Sequence, residues 1–165
     1  MTAASINLHA SCVVLAHAGA MFGASRDAGV LLLGKSGSGK SDLVLRLISR
    51  GAILVSDDRT ELCLQGGRLV ARPPAKLRGL IEVRGVGIVA LPHAHKARIA
   101  LAVRLDAKVP RLPREEHYKA PWDLPVPVPL LRLAAFESSA PEKIVLAIAA
   151  FERNLFRDSA GASST

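Results

Sequence analysis

The chain has 165 residues, half of them hydrophobic, which suits one domain with a substantial core and disfavours two domains. Aromatic residues make up only 4% of the chain, so the core must be built mainly from Leu, Val, Ile and Ala, as in α/β proteins whose helices cover a largely parallel sheet. The net charge of +8 comes from scattered Lys and Arg residues with few aromatic side chains among them, a pattern that disfavours direct nucleic-acid binding.

The cysteine and hydropathy patterns predict where the protein works. Cys12 and Cys63 are isolated thiols without C-x-x-C spacing, as is typical of a reduced cytoplasmic protein. No apolar run reaches about 18 residues, the length of a membrane-spanning helix. The sequence therefore predicts a soluble cytoplasmic protein without a membrane partner.

The first third of the chain alternates between strand and helix patterns. Residues 6–16 have the pattern of a strand or a strand pair, and residues 17–29 that of a loop rich in small side chains. The run VLLL at 30–33 predicts a short strand, and helical periodicity follows over about 41–50. Residues 53–58, ILVSDD, predict an apolar strand that ends in two carboxylates. This order favours a layered α/β fold.

The middle of the chain predicts further β structure. Residues 60–74 alternate around Gly66–Gly67 and predict a hairpin, because a Gly-Gly pair suits a tight turn between strands. Residues 76–92 form a second strand region interrupted by glycines, and residues 99–106 are another strand candidate.

The last third combines a proline-rich segment with a helix. Residues 107–129 hold six of the ten prolines, which excludes regular helix or central strand and predicts a surface loop. Serine caps and Pro141 then start a helical pattern that runs to about Phe156. We expect a single domain over residues 1–157 and a disordered tail over residues 158–165.

The segment GKSGSGKS, residues 34–41, fills the pattern G-x-x-x-x-G-K-[ST] between the predicted strand and helix. Such a loop turns main-chain N–H groups towards a diphosphate, and the following helix aims the positive end of its dipole at the same anion. Lys40 would reach the β- and γ-phosphates, and the Ser41 hydroxyl would bind magnesium. The sequence thus predicts binding of ATP and Mg2+ rather than an incidental glycine-rich turn. The predicted nucleotide-binding residues are Gly34, Lys35, Ser36, Gly37, Ser38, Gly39, Lys40 and Ser41.

Asp57 and Asp58 end a strand shortly after this loop, where P-loop proteins hold magnesium or activate a nucleophile. Adjacent carboxylates on a strand point in different directions, so one is available to the metal and the other to a hydroxyl or water. The alternative is that they only end the strand and cap the next turn.

Three blocks of the sequence resemble the HPr kinase/phosphorylase family. The first is GKSGSGKSDLVLRLISRGAILVSDDRTEL, residues 34–62, which is similar to the family's Walker A loop, helix and R-G-x-x-L-V-x-D-D strand. The second is LRGLIEVRGVGIVAL, residues 77–91, which resembles the signature L-E-[IV]-R-G-[LV]-G-I. The third is LHASCVV, residues 8–14, which resembles a short strand with a functional histidine before the loop.

The resemblance implies an α/β kinase core related to phosphoenolpyruvate carboxykinase, in a truncated form without the family's separate N-terminal domain. It implies an ATP-dependent enzyme that phosphorylates a serine of HPr, the small phosphocarrier of the sugar phosphotransferase system. Many members also reverse this reaction with inorganic phosphate. Homo-oligomers, hexamers in the family, are implied as well.

The resemblance also implies roles for individual residues, carried over by position. These are phosphate binding for Lys40, magnesium binding for Ser41 and Glu82, a general base within the pair Asp57 and Asp58, the family histidine for His9 and a catalytic arginine for Arg111. Spacing does not decide the base; we prefer Asp58 and place Asp57 nearer the metal. Without the resemblance, Glu82 reads equally well as a solvent-facing strand residue, Arg111 as a solvated loop arginine and His9 as an ordinary strand histidine.

One departure from the family bears on the direction of the reaction. The family's late loop has a P-V-R-P-G-R-N character, is implicated in phosphorolysis, and corresponds here to PVPVPLLRLAA, residues 125–135. Only Arg132 remains of its two arginines, so we predict kinase activity ahead of phosphorylase activity. Two other functions stay open: a regulatory switch that binds nucleotide without phosphoryl transfer, and a small-molecule kinase that uses the same loop.

Overall fold

The computed structural model describes residues 4–106 and 108–157, and this part of the chain forms ten strands and two α-helices. The strands are β1 (Ser5–Leu8), β2 (Ala10–Val14), β3 (Ala28–Leu33), β4 (Ile53–Ser56), β5 (Thr60–Gln65), β6 (Arg68–Arg72), β7 (Leu80–Val83), β8 (Gly87–Ala90), β9 (Ala97–Leu105) and β10 (Leu130–Leu133). The helices are α1 (Lys40–Ser49) and α2 (Ala140–Arg153), and a 3-10 helix at Ala16–Phe22 occupies part of the predicted loop before β3.

Eight of the strands form one mixed sheet, and β7 pairs with β8 as a separate hairpin. The order in the large sheet is β1-β5-β6-β9-β3-β2-β4, with β10 beside β9. Only β3 with β9 and β9 with β10 pair in parallel, and the other pairs are antiparallel. The α/β class is confirmed, but the expectation of a largely parallel sheet is wrong. Strand direction depends on how the connections run: β5 and β6 pair antiparallel through a tight hairpin, whereas β1 and β5 pair antiparallel although they are far apart in the chain.

Both helices pack on the same face of the sheet. The central strand β3 is buried along its whole length, as its uninterrupted apolar run predicts. Its side chains alternate between faces, and Val30 and Leu32 meet the helices. The helix residues of this core include Leu43, Val44 and Leu47 of α1 and Ile144, Val145 and Ile148 of α2. Their spacing gives each helix one apolar face that packs on the sheet. This packing fixes the first turn of α1, which directly follows the phosphate loop.

The opposite face is covered by the proline-rich segment. Leu31 and Leu33 of β3 point to this side and join a second core with residues of β2, β4, β5 and β6. Tyr118 and Trp122 pack against that core, and Val128 is buried in it. Residues 108–129 contain no helix or strand, as predicted. They nevertheless form a packed layer over the sheet.

Three further predictions can be compared with the fold. The hairpin is confirmed: β5 and β6 pair antiparallel around Gly66 and Gly67, both with positive φ as a tight two-residue turn requires. The segment predicted as one strand or a pair is two strands, β1 and β2, which are separated by His9 and have different partners: β1 pairs with β5, and β2 pairs with β3 and β4. The predicted tail at residues 158–165 lies outside the described residues.

The described residues contain no helix that is both long and apolar enough to cross a membrane. Both cysteines are free and buried. Burial raises the pKa of the Cys12 thiol far above its ordinary value, because the thiolate would lose its hydration.

The sheet topology brings several loops to one edge. β3, β9 and β10 run in the same direction, and β4 does too, because both β3 and β4 are antiparallel to β2. The carboxyl ends of these four strands therefore share one edge of the sheet, where ligands bind in open α/β folds.

Candidate functional site

The phosphate loop connects the buried strand β3 to α1, and its glycines are required by both backbone and space. Gly37 and Gly39 have φ values of +82° and +99°, which side chains with a Cβ rarely adopt. A Cβ at Gly34 would lie 2.4 Å from the Ser38 hydroxyl oxygen, and one at Gly39 would lie 2.8 Å from the Cβ of Ala135. The motif glycines thus allow a tight turn against neighbouring chain.

Lys40 is held inside this loop. Its side chain is buried at 5% exposure, and Nζ donates to the carbonyls of Gly34 at 2.6 Å and Lys35 at 3.0 Å. Desolvation lowers the pKa of Lys40, while the nearby carboxylates of Asp58 and Asp57 act in the opposite direction. Within the described chain Lys40 makes no ion pair shorter than 4 Å. A poorly compensated ammonium at this position is placed to meet an anion.

The start of α1 offers further donors that lack partners in the described structure. The Ser38 hydroxyl is buried without a hydrogen bond. No side chain caps α1 at Gly39, and space around Gly37 is open to 4 Å. The Ser38 hydroxyl lies against Gly34 and outside the cleft lining, so the donors that suit phosphate oxygens are the main-chain N–H groups of the uncapped helix start.

Asp57 links the end of β4 to three segments: the start of α1, β2 and β7. It follows β4 and is buried at 6% exposure. Its Oδ1 accepts hydrogen bonds from the Ser41 hydroxyl at 2.8 Å and the Ser11 hydroxyl at 3.2 Å. Its Oδ2 accepts the main-chain N–H of Glu82 at 3.3 Å. The carboxylate is thereby fixed against the last residue of the motif.

Asp58 points elsewhere. Its φ of 66° and the bond from Arg59 N–H to the Asp57 carbonyl, 2.8 Å, describe a γ-turn centred on Asp58. The Asp58 N–H donates to the Ser11 hydroxyl, and its Oδ1 lies 2.6 Å from His9 Nε2. Its side chain is 64% exposed. A strained, non-glycine residue whose carboxylate is open to solvent and oriented by a histidine is typical of a functional position.

A cleft of about 510 Å3 joins these groups at the carboxyl edge of the sheet, a volume in the range of nucleotide-sized sites. Among the predicted residues, those that line it are Ser36, Gly37, Gly39, Lys40, Ser41, Asp57, Asp58 and Glu82. His9 reaches the cleft through Asp58. The two carboxylates and the motif therefore lie together, as the strand order requires.

Gly34, Lys35 and Ser38 belong to the phosphate loop but not to the cleft lining, and Arg111 lies outside both the loop and the lining. It is exposed in the segment after β9 and is absent from the cleft lining. β9 ends at Leu105, at the edge of the sheet that carries the phosphate loop, and Arg111 follows six residues later in the chain. Its catalytic role stays a prediction.

Sequence reasoning did not assign to the site Ser11 or part of the cleft lining, namely Asp42, Leu45, Val83, Arg84 and Phe136. Ser11 bonds both to the Asp57 carboxylate and to the Asp58 N–H, and its fully buried position in β2 was signalled by one hydroxyl within an apolar strand. Phe136 lines the cleft after β10. No local pattern indicated it, because its segment resembled only the approach to a helix.

The side-chain oxygens of Ser41, Asp57 and Glu82 at the cleft could bind a magnesium ion that is also bound by the phosphates of a nucleotide. The described residues include no cluster of three His, Cys, Asp or Glu side chains able to hold a metal by themselves. Ser41 and Asp57 share a hydrogen bond, and Glu82 lines the same cleft. Magnesium is usually bound through one or two carboxylates with phosphates and water completing its octahedron, so this sparse oxygen set fits that ion.

Comparisons with known proteins agree on one family. A family model described as HPr Serine kinase C-terminal domain matches residues 6–149. An HPr kinase/phosphorylase of Cupriavidus necator is 36% identical over 141 residues, covering 78% of this chain and 42% of that protein. One of Latilactobacillus sakei is 38% identical over 112 residues, covering 60% of this chain and 36% of that protein. The chain thus spans less than half the length of these curated relatives.

A solved structure supports the fold. The Hpr(Ser) kinase/phosphatase from Coxiella burnetii superposes with a TM-score of 0.68 and 23% sequence identity. The match covers 91% of this chain and 98% of that chain. The overall arrangement of the sheet and helices is therefore shared.

Proposed function

The chain belongs to the HPr serine kinase C-terminal domain family, and from this we propose that it transfers the γ-phosphoryl group of ATP to a serine of HPr or an HPr-like phosphocarrier. The observation that carries the proposal is the hydrogen bond of 2.8 Å between Ser41 of the phosphate loop and Asp57, with Asp58 in the same cleft. A phosphate-binding loop alone supports nucleotide binding. The adjoining carboxylates add what phosphoryl transfer to an alcohol requires.

The residues of the chain divide the work of the reaction. Lys40 and the main-chain N–H groups of the loop bind the phosphates and hold the terminal phosphoryl group towards the acidic pair. Asp58 accepts the proton of the substrate serine as its oxygen bonds to phosphorus, and the bond to the leaving ADP oxygen breaks. His9 orients the Asp58 carboxylate from 2.6 Å.

Ser41, Asp57 and Glu82 are proposed to hold Mg2+, which when bound neutralises phosphate charge. The burial of Asp57 and its bond to Ser41 support this assignment. The exposed Glu82 side chain lines the same cleft and adds a further oxygen donor to this set.

The forward reaction is better supported than phosphorolysis. Arg132 is the arginine that remains of the family's late loop, and its guanidinium is bonded to Glu116 at 3.0 and 3.2 Å and lies 3.6 Å from Asp106. An arginine committed to two carboxylates is poorly placed to bind inorganic phosphate. Arg111 is kept in the proposal as a candidate for charge stabilisation, on the family resemblance alone.

The wider biology belongs to the same proposal. A cytoplasmic location is consistent with two free, buried cysteines. Homo-oligomerisation is proposed from the family resemblance, and sedimentation analysis of the purified chain tests it.

Incubation with γ-labelled ATP, magnesium and purified HPr tests the transfer. We expect label on a serine of HPr, and we expect Asp57→Asn combined with Asp58→Asn to abolish labelling while ATP binding persists. ATP binding by the wild-type chain without labelling of HPr would favour the regulatory switch. Label on small alcohols but not on HPr would favour a small-molecule kinase.

A further inference from the structure

Phe136 is an aromatic side chain that the proposed chemistry leaves without a role. It lines the cleft beside the phosphate loop, and a Cβ at Gly39 would lie 3.0 Å from its ring. Its side chain is 71% exposed. Leu45, on α1, is also exposed and lines the same cleft. Two apolar side chains therefore face solvent next to a loop built for charged phosphates.

Hydrogen bonds hold the backbone on both sides of Phe136, at Ala135 and at Glu137. Arg46 of α1 donates through its guanidinium to the carbonyl of Ala135 and, at 3.1 Å, to that of Glu137. Arg46 is itself held by Asp42 at 2.9 Å, one helical turn earlier. The residues that flank the ring are thus tied to the helix that begins at the phosphate loop. An exposed aromatic ring held in this way is preorganised to contact a ligand.

The position of the ring relative to the carboxylates is informative. Asp57 and Asp58 follow β4, which lies on one side of β3 in the sheet, whereas Phe136 follows β10, which lies on the other side beyond β9. The phosphate loop follows β3, between them. A nucleotide whose terminal phosphate faces the carboxylates and whose diphosphate follows the loop therefore extends its base towards Phe136.

We propose that Phe136, flanked by Leu45, is the stacking surface for the nucleobase. The inference rests on the proposed use of a nucleoside triphosphate and adds the subsite that binds its base. Stacking on an aromatic ring is tolerant of base identity because every base has a π face. Asp42, the polar neighbour on α1, is engaged by Arg46 and is therefore not free to recognise the base edge by hydrogen bonds. ATP and GTP are expected to bind within about threefold of each other, with pyrimidine nucleotides weaker.

Calorimetric titration of Phe136→Ala, Phe136→Tyr and the wild-type chain with MgATP and with magnesium tripolyphosphate tests the subsite. We expect Phe136→Ala to weaken ATP binding about tenfold or more, as loss of a stacked base does, and to leave tripolyphosphate binding within about twofold. Phe136→Tyr should keep near wild-type affinity for ATP. Phe156→Ala is the matched control, because Phe156 is also an exposed phenylalanine but lies outside the cleft lining.

Equal ATP affinity in Phe136→Ala and the wild-type chain would overturn the inference. So would an equal loss of tripolyphosphate binding, which would mean that the ring only supports the loop. Failure of the wild-type chain to bind ATP would overturn the proposed function and this inference with it. ATP binding that depends on Phe136, without transfer to HPr, would overturn the proposed transfer alone.

Discussion

Asp57 and Asp58 are neighbours in sequence with opposite surroundings. Asp57 is buried and accepts hydrogen bonds from Ser41, Ser11 and the Glu82 main chain. Asp58 is exposed on a γ-turn and is approached by His9. A buried carboxylate held against Ser41 of the phosphate loop is placed to bind the metal that accompanies the phosphates, whereas an exposed one suits proton exchange with an incoming substrate. Their different environments support the preference for Asp58 as the base.

Single substitutions separate the two aspartates. Asp58→Asn is expected to lower kcat for transfer to HPr by roughly 10²- to 10⁴-fold, the usual contribution of a general base, with the Kd for ATP within about twofold. Asp57→Asn is expected to raise the magnesium concentration needed for half-maximal rate. Steady-state kinetics with a magnesium titration measure both. Wild-type kcat in Asp58→Asn would exclude it as the base.

Gly37 and Gly39 form a matched pair for testing how the loop is built. Both have positive φ, so an alanine at either position carries a backbone cost of about 1–2 kcal/mol. At Gly37 the added methyl meets no atom within 4 Å, whereas at Gly39 it meets Ala135 at 2.8 Å. We therefore expect Gly39→Ala to lower the free energy of unfolding and the ATP affinity more than Gly37→Ala. Urea denaturation and calorimetry measure the difference, and equal effects would show that contact at Ala135 is unimportant.

At the scale of elements, both polar and apolar contacts attach the proline-rich segment, residues 108–129, to the sheet. Arg132 on β10 forms a bidentate ion pair with the Glu116 carboxylate. The main chain of Glu116 accepts the N–H of Leu130, and Tyr118 N–H donates to Val128. A segment without regular structure is thus ordered by a few contacts that link its start to its end.

The Glu116 contact predicts a pH dependence for this segment. The hydrogen bond from Arg132, with the charge of that guanidinium, lowers the pKa of Glu116 below its ordinary value of 4.5. The ionised carboxylate therefore favours the ordered segment fully above that pH, and the effect is lost progressively as the pH falls from 4.5 through the lowered pKa of Glu116. We expect amide protection in residues 108–129, corrected for intrinsic exchange, to be lower at pH 4 than at pH 7.

Hydrogen exchange with mass spectrometry measures this protection. Glu116→Gln should already show reduced protection at pH 7 and a smaller change on acidification. Asp123→Asn, a substitution of an exposed carboxylate in the same segment, is the control and should behave like the wild-type chain. Unchanged protection in Glu116→Gln would show that the apolar contacts alone order the segment.

At the scale of the whole molecule, the helices and sheet form one core beneath the site. Ile144 of α2 is fully buried, while Leu146, two residues later, is 46% exposed. Ile144→Ala should lower the free energy of unfolding by about 2–5 kcal/mol through lost burial and a cavity, and Leu146→Ala by less than about 1 kcal/mol. Urea denaturation of both variants tests this, and similar losses would contradict the assigned packing of α2.

The features predictable from the chain are those set by neighbours in sequence. The phosphate loop, the Gly66–Gly67 turn and the periodicity of α2 each depend on the backbone preferences or side-chain spacing of a few consecutive residues. The position of the two carboxylates after an apolar strand is equally local. The family resemblance extended this to His9 and Glu82, but it did not indicate how either residue is held.

The remaining features depend on residues far apart in the chain. His9 meets Asp58 across 49 positions, and Arg46 reaches the chain around Phe136 across about 90 positions. Such contacts follow from strand order and register, which no local pattern specifies, since the same alternating strands pair parallel or antiparallel according to their connections. The phosphate-binding loop is thus determined by consecutive residues. The side chains that surround it come together only because the tertiary structure places strands that are distant in sequence next to each other.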